Sequence, residues 1–287
     1  MPSIVDHVSA ADGTDLLTRH WPVAVSKAGG GAGADRPWAS ALLVHGLGEH
    51  SGRYEHVGDQ LAAAGIEAFS YDHRGNGASG GRRGHVDAWR QLHDDLAERL
   101  AAIRAVSGAR PLALYGHSMG GLVVAGYCLT DRPKPDLAVL GSPGLDSTLA
   151  RWKLALAPLM GRLLPTLAVP NGIDGATLSR DPAVAAKVAG DPLCATSSTT
   201  RFGAEALREQ ARVRSLAPRG LGVPTLVVHG QDDGLVPVAA SAVFDGAPRT
   251  TRRTYPGLRH ELHNEPEGPE IIEGVIAWLR DQVIEPV

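Results

Sequence analysis

The chain alternates two kinds of segment. Short, largely apolar runs occur over residues 41–45, 66–71, 111–115, 137–140 and 224–229, and the more polar segments 15–21 and 250–255 read as further strands. Runs of this length bounded by polar or Gly/Pro residues predict strands, most of them buried. Between them lie segments whose apolar residues recur every three or four positions, as on one face of a helix. Residues 54–64 place Val57, Leu61 and Ala64 together, and the longer segment 85–106 lines up Trp89, Leu92, Leu96, Leu100 and Ile103. Residues 121–129 and about 269–283 predict two more helices. Strands alternating with helices define an α/β class with a mostly parallel, doubly wound sheet.

One stretch breaks the alternation. From Leu145 to about Leu216 no strand is expected. Its first part, residues 149–170, is mostly apolar, with Trp152, Leu156, Leu159, Leu163 and Leu167 on one side of a helical wheel and Arg151 and Arg162 at its edge. Pro158 and Pro165 would break a single helix there, so two short pieces are expected. Periodicity alone favours a core helix. Placement between two sheet strands favours a cap over a site, and residues 145–216 are read as that cap, with 1–144 and 217–287 as the core.

Composition narrows the class. With 287 residues, 43% hydrophobic and 21% charged, the chain has the makeup of an ordinary globular protein with a large core. A net charge of −3 gives no reason to expect nucleic acid. Two cysteines, Cys128 and Cys194, make neither a disulfide framework nor a metal spacing. Cys128 is expected in the core and Cys194 in a polar, exposed loop. Residues 1–9 carry Asp6 and His7 and no apolar signal core, and no run is long enough to span a bilayer. A cytoplasmic protein is expected, with peripheral membrane contact allowed. Residues 26–36, rich in Gly and Ala, read as a surface loop.

The chemistry centres on Gly116-His117-Ser118-Met119-Gly120, a G-x-S-x-G between a predicted strand and a predicted helix. In a chain with 35 glycines the pattern alone carries little. In that context it predicts a strained strand-to-helix turn that lifts the serine hydroxyl over the end of the sheet. A serine needs a base within hydrogen-bond reach and a carboxylate to hold that base. The chain order for such a turn is Ser, then Asp or Glu, then His. The strand at 224–229 is followed by Asp232 and Asp233, and beyond them the chain holds two histidines, His260 and His263. An Asp-Asp-Gly alone reads equally as a plain turn. The His-x-x-His pair lacks a third metal ligand at usual spacing. Taken together and in this order they point to a serine hydrolase. The oxyanion requires two backbone donors, expected from Met119, after the serine, and Leu47, in the loop after strand 41–45. Such chemistry needs no metal or organic cofactor.

Residues 45–54, His-Gly-Leu-Gly-Glu-His-Ser-Gly-Arg-Tyr, resemble the oxyanion loop of the monoacylglycerol lipases, in the monoglyceride lipase and lysophospholipase branch of the α/β-hydrolases. Further similarities lie at 71–79, 116–121, 229–237 and 255–263, in the family's order. The resemblance implies the α/β-hydrolase fold with an inserted helical cap and hydrolysis of a monoacylglycerol ester. It assigns the acid to Asp233, with Asp232 as the alternative, and the base to His260. It places His263, Glu49 and Arg53 beside a glycerol headgroup, although Glu49 and Arg53 also read as a structural ion pair. Asp72 and Arg74 are read as bracing their turn. The acyl chain is expected under the cap, against Leu156, Leu159 and Leu163, an apolar surface that also suits contact with lipid. The partner is thus a small lipid ester. The polar cap segment 194–201 departs from the commoner family versions, which leaves chain-length preference open. A lysophospholipase or broader carboxylesterase is the nearer alternative, and a non-catalytic hydrolase scaffold the further one.

Overall fold

A computed structural model describes residues 2–23, 36–148 and 150–284. The loop expected over 26–36 lies, except for Arg36, outside the described residues. The chain opens with a hairpin, β1 (Ile4–Ser9) and β2 (Asp15–Trp21), and then runs β3 (Ala39–Val44), α1 (Glu55–Ala63), β4 (Ile66–Tyr71), α2 (Arg90–Ser107), β5 (Leu112–His117), α3 (Met119–Cys128) and β6 (Leu137–Gly141). After an insertion come β9 (Thr225–Gly230), β10 (Thr250–Tyr255) and α7 (Gly268–Ile284). The insertion holds α4 (Arg151–Leu163), β7 (Ala168–Pro170), α5 (Pro182–Gly190), β8 (Ser197–Thr199) and α6 (Thr200–Leu216).

Eight strands form one sheet in the order β1-β2-β4-β3-β5-β6-β9-β10. β2 pairs antiparallel with β1 and β4, and every other pairing is parallel. Parallel strands need both faces covered, and two buried clusters do this. α2, α3 and α6 pack on one face and α1 and α7 on the other. All five residues of the predicted α2 stripe are buried, and Leu92 and Leu96 are fully so. Cys128 is buried on α3, as its neighbours' apolarity requires. Because β3, β5, β6, β9 and β10 run parallel, the loops leaving them open at the same edge of the sheet, where a site can be assembled from distant segments.

Several expectations need correction. β1 was not foreseen: it is an edge strand, mostly exposed, so its residues carry little alternation. The insertion does contain strands. β7 and β8 pair antiparallel, with Val169 opposite Ser198, but three residues are too few to show a period. α4 is one helix, not two. It runs through exposed Pro158, which removes one backbone hydrogen bond without ending the helix, and Pro165 lies beyond its last turn.

The apolar stripe of α4 also faces the other way. The helix rests on α6 through Gly161 and the partly buried Leu154, Ala157 and Met160. Trp152, Leu156, Leu159 and Leu163 are 63, 46, 52 and 63% exposed, and Leu164, Leu167 and Val169 extend the same open face. The three leucines expected to wall an acyl chain therefore stand on an outer surface. The side chain of Arg151 lies outside the described residues.

The α2 stripe gives a direct test of the packing. Leu96→Ala should lower unfolding free energy by about 3 kcal/mol, measured by urea titration, because it removes the contacts of Cγ and both Cδ atoms from a fully buried site. A change within error would mean that α2 does not seal this face of the sheet.

Candidate active site

Ser118 sits between β5 and α3 with φ 53° and ψ −118°, a conformation that costs an L-residue strain. The flanking glycines make the turn possible. A Cβ on Gly116 would lie 2.3 Å from the carbonyl oxygen of Gly120, and one on Gly120 would lie 2.0 Å from that of Val44. Three backbone bonds hold the turn: Ser118 N–H donates to Gly141 O at 2.9 Å, and Ser118 O accepts from Leu122 and Gly144 at 3.0 and 2.8 Å.

Three loops at this edge bring their side chains into line. His260, in the loop after β10, lies with Nε2 2.9 Å from Ser118 Oγ and Nδ1 2.7 Å from Asp233 Oδ2. Asp233, in the loop after β9, is buried, while Asp232 is exposed and its N–H bonds Leu258 O. The geometry thus separates the two candidate acids and the two candidate bases. Burial would push the Asp233 carboxyl up, but hydrogen bonds from His229 and His260 outweigh it and hold the group well below the usual carboxylate range. It is an anion at any working pH, as an imidazole-orienting group must be.

Gly46, after β3, lies against the serine: a Cβ there would be 3.2 Å from Ser118 Cβ. The next residue is Leu47, whose N–H has no hydrogen-bond partner among the described residues. Met119 opens α3, so its N–H is one of the first-turn donors without an intrahelical acceptor.

Glu49, Arg53 and His263 form part of a buried network that the sequence indicated only in part. Arg53 bonds Glu49 Oε2 at 2.6 Å and grips both oxygens of Glu261 at 2.7 Å. Glu49 Oε1 accepts from Gly46 N–H at 2.5 Å and Tyr54 O–H at 2.8 Å, which ties the network to the loop carrying Leu47. Burial opposes charge on Glu49, yet Arg53 foremost keeps its carboxyl below the ordinary range. The structural ion pair is therefore present, with Glu261 as the unforeseen second carboxylate. No spacing rule pointed to Glu261, since it pairs across 208 residues. Asp72 and Arg74 act as braces: Asp72 accepts from Ser51 and Ala78, and Arg74 pairs with Asp95 and Asp12.

His263 is buried, stacked on Tyr54 at 4.9 Å, and stands edge-on to His117 at 4.9 Å. Its Nε2 has no hydrogen-bond partner among the described residues. His117, the variable residue of the serine turn, lies 4.8 Å from the His260 ring. Burial, with His260 adding to it, pushes His117 down to about 3, and burial likewise holds His263 well below its usual value. Both rings are neutral.

Among the described residues one cluster has metal-type side chains: a ring nitrogen of His50, a carboxylate oxygen of Asp191 and Cys194 Sγ lie within 4.8 Å of one another. The histidine tautomer does not fit a metal. Gly52 N–H points at His50 Nδ1 at 3.2 Å, so Nε2 carries the proton and donates to Asp191 at 2.8 Å. A metal on Nε2 would need the proton on Nδ1, facing another donor. Cys194 is half-buried rather than exposed, and burial pushes its thiol up to about 11.

The parallel sheet and a serine on a strand-to-helix turn at its open edge define an α/β-hydrolase. The family described as serine aminopeptidase, S33 (Hydrolase_4) matches residues 35–267, and the chain belongs to it. A monoacylglycerol lipase of Mycolicibacterium smegmatis is 33% identical over 248 residues, which are 85% of this chain and 88% of that protein. An uncharacterized abhydrolase domain-containing protein of Dictyostelium discoideum is 31% identical over 99% of this chain, and the chain spans 30% of that protein's length. Among solved structures, a monoacylglycerol lipase of Paleococcus ferrophilus is similar at TM-score 0.79 and 29% identity, covering 92% of this chain and 98% of that one.

The buried ion network predicts its own pH dependence. Glu49 titrates lower in the folded chain than its free value of 4.5, so the stability it lends is complete above that pH and fades as pH falls below it. Arg53→Met should cost about 3–5 kcal/mol at neutral pH in urea titrations, since it leaves carboxylates buried without a cation. The deficit should shrink towards pH 4.5 and below, where Glu49 can take up a proton. A pH-independent deficit would contradict the assignment.

Proposed function

We propose that the chain is a carboxylic ester hydrolase that cleaves monoacylglycerols to glycerol and fatty acid. The observation that carries this is the unbroken line from Asp233 through His260 to Ser118, at 2.7 and 2.9 Å. In this reading His260 Nε2 takes the proton of Ser118 as the hydroxyl attacks the ester carbonyl. Asp233 keeps the Nδ1–H tautomer and balances the imidazolium. The Leu47 and Met119 N–H groups receive the oxyanion, each such donor being worth about a hundred- to thousandfold in rate. His260 returns its proton to the departing glycerol. Water then attacks the acyl-enzyme with His260 again as base, which frees the fatty acid.

The likeness to the monoacylglycerol lipases of Mycolicibacterium smegmatis and Paleococcus ferrophilus supports this substrate class. Within the site, the unpartnered Nε2 of His263 is a buried group that a glycerol hydroxyl would satisfy. Glu49 and Arg53 would frame the same pocket while holding the oxyanion loop in place. Residues 145–216 would act as the cap. The exposed Leu156, Leu159 and Leu163, with Trp152, would meet the acyl chain or the lipid aggregate that delivers it. No helix among the described residues is long and apolar enough to cross a membrane. In this reading the protein is cytoplasmic and its contact with lipid peripheral.

A hydrolysis panel tests the reading: monoacylglycerols of graded length, a diacylglycerol, a lysophosphatidylcholine and a short aryl ester. Monoacylglycerol should be preferred, and Ser118→Ala should reduce turnover to background on every substrate. His263→Ala should raise KM for monoacylglycerol several-fold more than for the aryl ester. Retained turnover in Ser118→Ala would remove the serine mechanism. Preference for the lysophospholipid, or equal losses in His263→Ala, would remove the glycerol pocket.

A further inference from the structure

His229 is fully buried at the end of β9, four residues before Asp233, and the chemistry above gives it no part. It nevertheless touches the acid. Its Nε2 lies 3.0 Å from Asp233 Oδ2 and 3.1 Å from Val236 O. Both neighbours are acceptors only, so Nε2 must carry a proton. On the other side, Nδ1 lies 3.0 Å from Ser241 Oγ. That hydroxyl is itself held: it accepts from Arg252 Nε at 2.9 Å and lies 3.0 Å from Val238 O. The ring is thus gripped at both nitrogens, and neither its tautomer nor its orientation is free.

The Asp233 carboxylate is completed by this contact. Oδ1 accepts from the N–H groups of Leu235 and Val236, both at 2.9 Å. Oδ2 accepts from His260 at 2.7 Å and from His229 at 3.0 Å. Two donors on each oxygen leave no lone pair idle and no rotation open. Without His229, Oδ2 would keep His260 as its one side-chain donor, on a carboxylate that is fully buried.

We propose that His229 is a positioning residue for hydrolysis: with Ser241 and Arg252 behind it, it fixes the Asp233 carboxylate so that Oδ2 meets His260 in line. This rests on the reading of Ser118, His260 and Asp233 given above. His229 acts through Asp233 and touches no substrate. Its donation also draws charge from Oδ2 and so limits how strongly the carboxylate favours the imidazolium form of His260. The groups that face this line are Arg252, paired with Asp245 at the outer end, and the neutral His117 ring beside His260. Neither replaces the lost donor.

The test compares two substitutions of similar length. His229→Gln keeps an N–H donor near the Nε2 position, and His229→Met does not. With monoacylglycerol as substrate, His229→Met should lower kcat about tenfold with KM within about twofold. The acid limb of its kcat/KM profile should move up by about half a pH unit, because the unrelieved carboxylate holds the proton on His260 longer. His229→Gln should restore both kcat and the limb to near wild type. Equal losses in the two variants with an unmoved limb, or an undiminished kcat in His229→Met, would overturn the proposal. If His229→Met does not fold, nitrogen-15 NMR of the wild-type imidazoles decides. A proton on Nε2 of His229 whose resonance shifts in Asp233→Asn supports the role, and a proton on Nδ1 alone overturns it. Ser118→Ala measured alongside separates the two failures, since turnover retained there sinks the parent mechanism whatever His229 does.

Discussion

Everything at this site depends on one strained residue. Ser118 holds a positive φ between β5 and α3, and it can do so because Gly116 and Gly120 lack side chains that would strike neighbouring backbone. The turn places the hydroxyl beyond the sheet edge and at the start of α3. The strain is held by surrounding order: β5 lies in the middle of the sheet, and the carbonyl of Ser118 is bonded by two N–H groups. The loops after β9 and β10 then have only to reach the same edge. Parallel strands guarantee that they do, which is how residues 118, 233 and 260 meet.

The site is also layered in polarity. Asp233 is anionic although buried, because four donors surround it. Beside His260 the His117 and His263 rings are kept neutral by burial. Across from them Arg53 is clamped between Glu49 and Glu261. Charge is therefore admitted where a partner compensates it and excluded elsewhere, as low-dielectric packing demands. The network reaches the loop after β3 through the bond from Gly46 to Glu49, so the ion pair also braces the segment that carries Leu47.

Much of this was legible in the sequence, for physical reasons. Buried parallel strands are continuous apolar runs, so the central strands and the α2 stripe could be read within a residue or two. The order Ser, Asp, His follows from which loops share an edge. What escaped notice obeyed no local period. The β1 edge strand is exposed on both sides, and β7 and β8 are three residues long. Glu261 and His229 are polar residues whose meaning lies in partners found only after folding. His229 stood inside a recognised motif, yet its donor to Asp233 depends on the turn that follows. The α4 stripe was read correctly as amphipathic, but periodicity does not tell which side faces protein. The α4–α6 contact at Gly161 turned the leucines outward.

The most direct test of the central claim is covalent. The wild-type protein treated with a fluorophosphonate should gain one adduct by intact mass, mapped by peptide sequencing to Ser118, and Asp233→Asn should react much more slowly. Labelling at another residue, or equal labelling of Ser118→Ala, would contradict the account of how this edge of the sheet works.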